Sequence, residues 1–185
     1  RENDKGLSVS NDLILYNNEV KVSRNIRLTN DLMYLLGLMT SSGWITKDSW
    51  GIYLENNYEK ELKLFNNVFG INMTVEKIGS LVQLSSKTIL YNRFFKSFWG
   101  RDFDYNSKTK NFPSWVLNLS KDLKMAFLRG LQKANEGKNC IISSSYKLIA
   151  KAKILLSSMG YVSKLIQESN TWEIQSVQRD DINII

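Results

Sequence analysis

The sequence has no histidine and a single cysteine, Cys140, among its 185 residues. Without histidine there is no Ser-His-Asp triad, and the commonest general base of enzymes is missing. One cysteine cannot form an internal disulfide, and a zinc site needs about four ligands, most of them cysteine or histidine. These absences exclude a zinc-cluster protein and a histidine-dependent hydrolase.

Long apolar runs are absent as well. No run approaches the roughly 20 residues of a membrane-spanning helix, and the first residues lack the pattern of a signal peptide. The chain starts at Arg1 and not at methionine. We therefore expect no membrane partner, an intracellular protein of the cytoplasm or nucleus, and a chain that is part of a larger polypeptide.

Acidic residues are fewer than basic ones. Asp and Glu number 18 against 25 Lys and Arg, which gives a net charge of +7. A basic surplus favours a polyanionic partner such as nucleic acid. Hydrophobic residues make up 43% of the chain, which suffices for the core of one domain or of two small ones.

Two segments of the chain repeat one pattern. Tyr34–Ile45 and Phe127–Gly137 each have the features of a helix that carries Leu-x-Gly-Leu and ends in small, polar residues. Their glycines, Gly37 and Gly130, are 93 positions apart (130 − 37). The repeat exceeds the roughly 20–50 residues of a solenoid unit, so it predicts two fused, pseudo-symmetric halves.

Hydrophobic periodicity and turn residues predict the order of elements in each half. Thr29 or Asn30 caps the first motif helix, Ser86 a third helix, and Ser120 the second motif helix. Gly70 and Gly160 end the second helix of each half, and Gly79 turns between two strands.

The predicted helices are 30–41, 57–69, 87–99, 122–134 and 146–159. The predicted strands are 44–47, 49–55, 71–78, 80–84, 139–143, 162–167 and 172–177, with short strands near Leu7/Val9 and Val20/Val22. Strands without long parallel crossovers indicate an α+β fold with antiparallel sheets.

The predicted organisation has four parts. Residues 1–27 form a strand-like N-terminal extension, 28–100 the first half, 101–118 a polar linker with the only proline, and 119–185 the second half.

The two motif segments resemble the LAGLIDADG motif of homing endonucleases, which occurs twice in single-chain members of that family. The stretch Phe112–Val116, followed by Asp122 before the second motif, is similar to the lead-in found in the intein-type branch. The resemblance covers about residues 28–177. It implies two pseudo-symmetric αββαββ(α) halves whose antiparallel sheets form a saddle on double-stranded DNA, with one chain sufficient for binding.

The motif glycines have a structural role under this resemblance. Two helices that meet at a pseudo-twofold axis approach closely only where small residues line the contact. We therefore predict that Gly37 and Gly130 lie at the helix crossing.

In the family, the eighth motif position is an acid that holds catalytic Mg²⁺. The corresponding residues here are Ser42 and Asn135, a neutral hydroxyl and an amide. Glu136 lies one residue late, in the place of the family's glycine. The substitutions predict a nuclease that is impaired or inactive and needs no metal cofactor. The alternative is an active, Mg²⁺-dependent endonuclease that uses Glu136.

The resemblance also implies that polar residues on the strand faces contact base edges in the major groove, while basic residues contact phosphates. The candidates in the first half are Lys47, Ser49, Tyr53, Asn72 and Thr74. The candidates in the linker are Arg101, Lys108 and Lys110, and those in the second half are Lys138, Lys164, Gln167 and Gln175.

Three functions remain open at the level of the sequence. The first is a homing-endonuclease-like domain, such as an intein remnant, that binds specific DNA and cuts poorly. The second is the active endonuclease. The third is a repurposed module on the same scaffold, either a DNA-binding regulator or an RNA-splicing maturase.

Overall fold

The computed structural model describes residues 13–16, 20–23, 27–55, 57–99, 107–134 and 140–176. The helices are α1 (Asn30–Ser42), α2 (Glu59–Phe69), α3 (Ile89–Trp99), α4 (Lys121–Lys133) and α5 (Tyr146–Ser157). The strands are β1 (Leu13–Tyr16), β2 (Val20–Ser23), β3 (Gly43–Ile45), β4 (Trp50–Leu54), β5 (Thr74–Ile78), β6 (Leu81–Ser86), β7 (Cys140–Ser143), β8 (Ser163–Glu168) and β9 (Thr171–Ser176). The predicted α+β class with antiparallel sheets is confirmed.

Local signals in the sequence explain most helix ends. The hydroxyl of Thr29 accepts a hydrogen bond from the Leu32 amide at 3.2 Å and caps α1. Gly70 follows α2 with φ of 65°, and Gly160 follows the last turn after α5 with φ of 88°. This left-handed conformation favours glycine, because in other residues the Cβ crowds the residue's own backbone at positive φ.

Two of the predicted caps differ in the structure. Ser86 belongs to strand β6, and its hydroxyl accepts a bond from the Thr88 amide at 3.2 Å, so α3 begins later, at Ile89. Ser120 occupies the N-cap position of α4, but its side chain makes no capping bond.

Three antiparallel sheets are present in the described part of the chain. The first half contains a four-stranded sheet in the order β3-β4-β6-β5, and the second half a three-stranded sheet in the order β7-β9-β8. A separate pair, β1 and β2, lies in the N-terminal extension. Its first strand comprises Leu13–Tyr16. The strand predicted near Leu7 and Val9 lies outside the described residues.

The core lies between the helices and one face of each large sheet. Trp50 of β4 stacks against Phe65 of α2 and Phe95 of α3, with ring centroids 5.6 and 4.7 Å apart. The apolar stripe of α3 is therefore packed inside the protein, as its helical spacing predicts. The linker also contributes to the core, because Phe112 is buried and Val116 lies buried in a 3-10 helix, Ser114–Asn118.

The two halves share their element order with two differences in the described residues. One is α3, which follows β6 in the first half, whereas the described part of the second half ends with β9. The other concerns the strands after the motif helices. Two strands follow α1, whereas β7 is the single described strand between α4 and α5; residues 135–139 lie outside the described residues. No helix in the described part of the chain is long and apolar enough to cross a bilayer.

Candidate nucleic-acid interface

Helices α1 and α4 cross at the two motif glycines. A Cβ added to Gly37 would lie 2.0 Å from the carbonyl oxygen of Phe127, and one added to Gly130 would lie 2.0 Å from that of Tyr34. Both contacts are with main-chain atoms, which cannot swing aside. Phe127 and Tyr34 occupy equivalent places in the two motifs, so the crossing has local twofold symmetry. Only glycine allows the helices to approach this closely at both positions.

Ser42 is the last residue of α1, where the motif acid would stand. Its hydroxyl donates a hydrogen bond back to the Leu38 carbonyl at 3.2 Å, which ties it to the helix backbone. The equivalent Asn135 and the nearby Glu136 lie outside the described residues. The structure therefore describes the eighth position of the first motif but not that of the second. At the described position, the side chain is a hydroxyl that is hydrogen-bonded to its own helix.

Lys110 reaches the same helix end from the linker. Its ammonium donates to the carbonyls of Ser41, at 2.6 Å, and Gly43, at 3.2 Å. Burial lowers the pKa of Lys110 to about 8, because removing the charged form from water is unfavourable. The ammonium of Lys110 thus faces main-chain carbonyls of the protein itself, and its predicted contact with a DNA phosphate stays a prediction.

The backbone of Lys110 is fixed as firmly as its side chain. The hydroxyl of Ser145, the N-cap of α5, donates to the Lys110 carbonyl at 2.6 Å. Two residues on, the Phe112 carbonyl accepts from the ammonium of Lys151 at 2.6 Å, and that ammonium also lies 5.3 Å from the Phe112 ring. The linker thus joins the end of α1 to the start of α5.

The oxygen atoms described at the carboxyl end of α1 are not suitable ligands for Mg²⁺. The ion prefers octahedral oxygen coordination and is usually held by one or two carboxylates. Here the nearest candidates are a hydroxyl bonded to the helix and carbonyls already bonded to an ammonium. Within the described ranges, no three acidic, cysteine or histidine side chains come together in a way that could hold a metal.

The first sheet has an outer face, directed away from the helices. The register places Tyr53 beside Gln83 and Glu76, and Gly51 beside Ser85 and Thr74. Neighbouring residues across a sheet share a face. These residues therefore lie opposite the buried row of Ile52 and Leu84. Tyr53 and Thr74 lie on this outer face, where the resemblance implied base contacts.

An indole covers part of that outer face. A Cβ on Gly51 would lie 2.3 Å from the Leu84 carbonyl oxygen and 2.8 Å from the ring of Trp44, so the glycine makes room for both the neighbouring strand and the tryptophan. The rings of Trp44 and Tyr53 have centroids 6.3 Å apart, and 39% of Tyr53 is exposed. The indole nitrogen of Trp44 is buried and has no hydrogen-bond partner in the described part of the protein. The glycine within an otherwise bulky strand was the sequence signal for this close approach.

Three other first-half candidates lie outside the strands. Ser49 lies in the turn before β4, with its hydroxyl 2.8 Å from that of Thr46. Lys47 is exposed in the same turn. Asn72 precedes β5, and its side-chain oxygen accepts from Asn66 of α2 at 2.7 Å. The prediction that Ser49 and Asn72 stand on strands is wrong, because both strands are shorter than the polar–apolar alternation suggested.

The second sheet divides its candidates between two faces. Lys164 pairs with Gln175 on the outer face, away from α5. Gln167 pairs with Trp172, whose ring packs on Tyr146 of α5 at 4.7 Å. The prediction that Gln167 shares a face with Lys164 is wrong, because the two residues have opposite parity along β8.

The remaining basic candidates are Lys108, Arg101 and Lys138. Lys108 is exposed in a turn over residues 107–109. Arg101 and Lys138 lie outside the described residues. The described part of the candidate interface therefore comprises the two outer faces, which carry a small number of charged side chains. The charged residues in the register rows of these faces are Glu76, Glu168, Glu173 and Lys164.

This arrangement of paired glycine helices and antiparallel sheets is the LAGLIDADG homing endonuclease fold. Solved structures of the homing endonuclease I-DmoI superpose on it. One, of mesophilic variants, has a TM-score of 0.63 at 14% identity and covers 82% of this chain and 90% of that chain. Another, in complex with DNA and Mn, has a TM-score of 0.62 at 13% identity, over 81% of this chain and 90% of that chain. The N-terminal LAGLIDADG domain of DUF199/WhiA has a TM-score of 0.50 at 18% identity, over 78% of this chain and 73% of that chain.

Sequence comparison adds one relative. The uncharacterized protein MJ1054 of Methanocaldococcus jannaschii is 30% identical over 76% of this chain. The chain spans 18% of the length of that protein. No family model matches the chain. At the identities of the solved structures the likeness establishes the fold, and the predicted intein branch stays a prediction.

Proposed function

We propose that the chain binds double-stranded DNA sequence-specifically through the outer faces of its two sheets, and that it cleaves DNA poorly or not at all. The glycine-to-backbone crossing of α1 and α4 carries the proposal. It fixes the two halves in the arrangement for which I-DmoI has been solved in complex with DNA. One chain supplies both halves, so we propose a monomer as the binding unit.

The outer faces supply side chains suited to base recognition. A two-stranded ribbon fits the major groove of B-form DNA, where each base pair presents a distinct pattern of donors and acceptors. Gln175 and Gln83 offer amides that match the adenine edge, and Lys164 can donate to guanine. Tyr53 and Thr74 add a hydroxyl each, and the Trp44 ring adds apolar area for thymine methyl groups.

Charge favours the same partner. A net charge of +7 draws the protein to a polyanion, and released counterions contribute to the affinity. The outer faces themselves carry few charges. Their contribution is therefore base-specific, while phosphate contacts come from basic residues at the margins, such as the exposed Lys47 and Lys108.

We propose weak cleavage because the described residues at the end of the first motif offer no carboxylate that could bind a metal ion. Ser42 is neutral and bonded to its own helix, and the ammonium of Lys110 holds the carbonyls on both sides of it. In the other motif the acid is replaced by Asn135, an amide.

Selection of bound duplexes from a random pool, with and without Mg²⁺, tests the binding. We expect a defined consensus of similar affinity under both conditions. RNA of the same sequence should bind more weakly, because the A-form major groove is too narrow for side chains to read. Tighter binding of structured RNA, or no consensus, would contradict the proposal.

A cleavage assay tests the proposal that the chain cuts DNA poorly or not at all. Supercoiled DNA that carries the selected site should remain intact in Mg²⁺ or Mn²⁺. Efficient cutting that Glu136→Gln abolishes would replace the proposal by the active endonuclease. Site-specific cutting that Glu136→Gln does not affect would also refute weak cleavage and would show that another residue carries the reaction. A site-free plasmid serves as the matched control, because a contaminating nuclease would cut it as well.

A further inference from the structure

The carboxyl end of α1 is a natural position for a cation. The last carbonyls of a helix lack partners within the helix, and the helix dipole places partial negative charge there. In this chain the amide of Gly43 bonds the Met39 carbonyl. The carbonyls of Ser41 and Gly43, one on each side of residue 42, both accept from the Lys110 ammonium. The positive charge that this end attracts is thus already part of the chain.

The ammonium is held in place from both directions. The Lys110 carbonyl accepts from Ser145, and the Phe112 carbonyl accepts from Lys151, so the backbone around Lys110 is anchored to α5. Phe112 itself is buried in the core. Withdrawing the ammonium from α1 would require these contacts to change, and it would leave two helix-end carbonyls without partners.

A second cation at residue 42 would meet this ammonium at short range. Like charges in a site that is partly shielded from water repel strongly, since the effective dielectric is lower than that of the solvent. An acid at position 42 would instead meet an opposite charge already in place. The carboxylate would then form an ion pair with the Lys110 ammonium, and it would contribute little to the binding of a divalent ion.

We propose that the Lys110 ammonium replaces a divalent metal ion at the carboxyl end of α1 and excludes such an ion from residue 42, even when an acid is placed there. The observations that carry this are the two carbonyl contacts and the anchoring of the linker. The inference does not depend on DNA binding, so the two proposals can fail separately.

Terbium binding tests the exclusion directly. Tb³⁺ is a luminescent substitute for Ca²⁺ and Mg²⁺ that tryptophan sensitises, and Trp44 lies two residues from position 42. The protein should be compared as wild type, Ser42→Asp, Ser42→Asp with Lys110→Met, and Ser42→Asn with Lys110→Met as the uncharged control. We expect strong luminescence, displaced by Ca²⁺, in Ser42→Asp with Lys110→Met alone, with at least tenfold tighter binding than in Ser42→Asp. Equal binding by Ser42→Asp and the double variant would overturn the proposal.

Thermal unfolding gives a second readout that does not require Lys110→Met to fold. In the wild-type background, Ser42→Asp should melt at or above the temperature of Ser42→Asn near pH 6, because the new carboxylate pairs with Lys110. Without such a pair, an acid at a helix carboxyl end is unfavourable. A lower melting temperature for Ser42→Asp than for Ser42→Asn would contradict the proposal. Where Lys110→Met folds, the order of the two variants should reverse in that background.

Discussion

Lys110 makes the stability of the protein depend on pH in a predictable direction. Its pKa is about 8 in the folded state and 10.5 in the unfolded chain. Between these values the unfolded chain binds more protons, so the free energy of unfolding rises with pH. The stabilisation is therefore complete above the unfolded pKa and is lost as the pH falls through about 8.

We expect Lys110→Met to flatten this rise. Denaturant unfolding at pH 8 and pH 10 should show a gain on the order of 2 kcal/mol for wild type and a smaller gain for the variant. The window stops at pH 10 because burial raises the pKa of Tyr91 to about 12, which lowers stability as the pH rises above 10. Lys108→Met, on an exposed lysine of the same linker, is the control and should keep the rise. Parallel profiles for wild type and Lys110→Met would refute this assignment.

A buried carboxyl makes a second residue-scale prediction. Glu61 of α2 is 1% exposed, and its Oε1 accepts from the Tyr34 hydroxyl at 2.6 Å. Its Oε2 has no hydrogen-bond partner in the described part of the chain. Tyr34→Phe removes the bond to Oε1, so we expect it to destabilise the fold by about 1–3 kcal/mol. Tyr53→Phe, which changes an exposed hydroxyl, should have little effect.

The outcome for Glu61 can be checked with a double-mutant cycle in urea. Combining Tyr34→Phe with Glu61→Leu should cost less than the sum of the two single changes, because the pair then no longer contains an isolated polar group. Strict additivity would show that the hydroxyl and the carboxyl do not interact.

At the scale of elements, the crossing of α1 and α4 is the contact on which the two halves depend. A methyl group at position 130 would lie 2.0 Å from the Tyr34 carbonyl oxygen, so Gly130→Ala must separate two helix backbones. We expect a loss of about 1–3 kcal/mol or more in urea unfolding, although alanine favours helix formation by about 1 kcal/mol over glycine. The control is Arg129→Ala, an exposed position one residue away. Equal stability of Gly130→Ala and wild type would disprove the paired-helix geometry.

Helices and hairpins could be predicted from the sequence where the signal is local. The Thr29 cap, the glycines at positions 70 and 79, and the polar–apolar alternation each involve neighbouring residues. They gave α1, α2 and the β5–β6 hairpin within a few residues of their observed ends.

Contacts between distant residues were not predictable in the same way. Lys110 lies 69 residues from Ser41, and nothing in the polar linker indicates a buried ammonium. The face of Gln167 was also wrong, because Leu165 and Ile166 are adjacent apolar residues and the strand pattern does not reveal which one faces the core. Only the pairing with Trp172 decides it.

At the scale of the whole molecule, we propose that the two halves form one DNA-binding surface. Lys164 is the cation of the second outer face, and it is exposed beside Gln175. If it neutralises a phosphate, Lys164→Ala should reduce the slope of log affinity against log salt by about one unit. If it reads guanine, the loss should be confined to particular base pairs. The control is Lys63→Ala, at an exposed position of α2, which should change neither the salt dependence nor the base preference. If Lys164→Ala also changes neither, the second sheet is not part of the DNA interface.

Two glutamines on one sheet provide the most direct test of binding through the outer faces. Gln175 lies on the outer face and Gln167 on the α5 side, and both are exposed. Fluorescence anisotropy with the selected duplex and its single-base-pair variants should be measured for Gln175→Ala and Gln167→Ala at one salt concentration. We expect Gln175→Ala to lose on the order of 1–3 kcal/mol of binding free energy at one or two base pairs, while Gln167→Ala binds like wild type. Equal binding by both variants, or a loss with Gln167→Ala alone, would contradict this expectation.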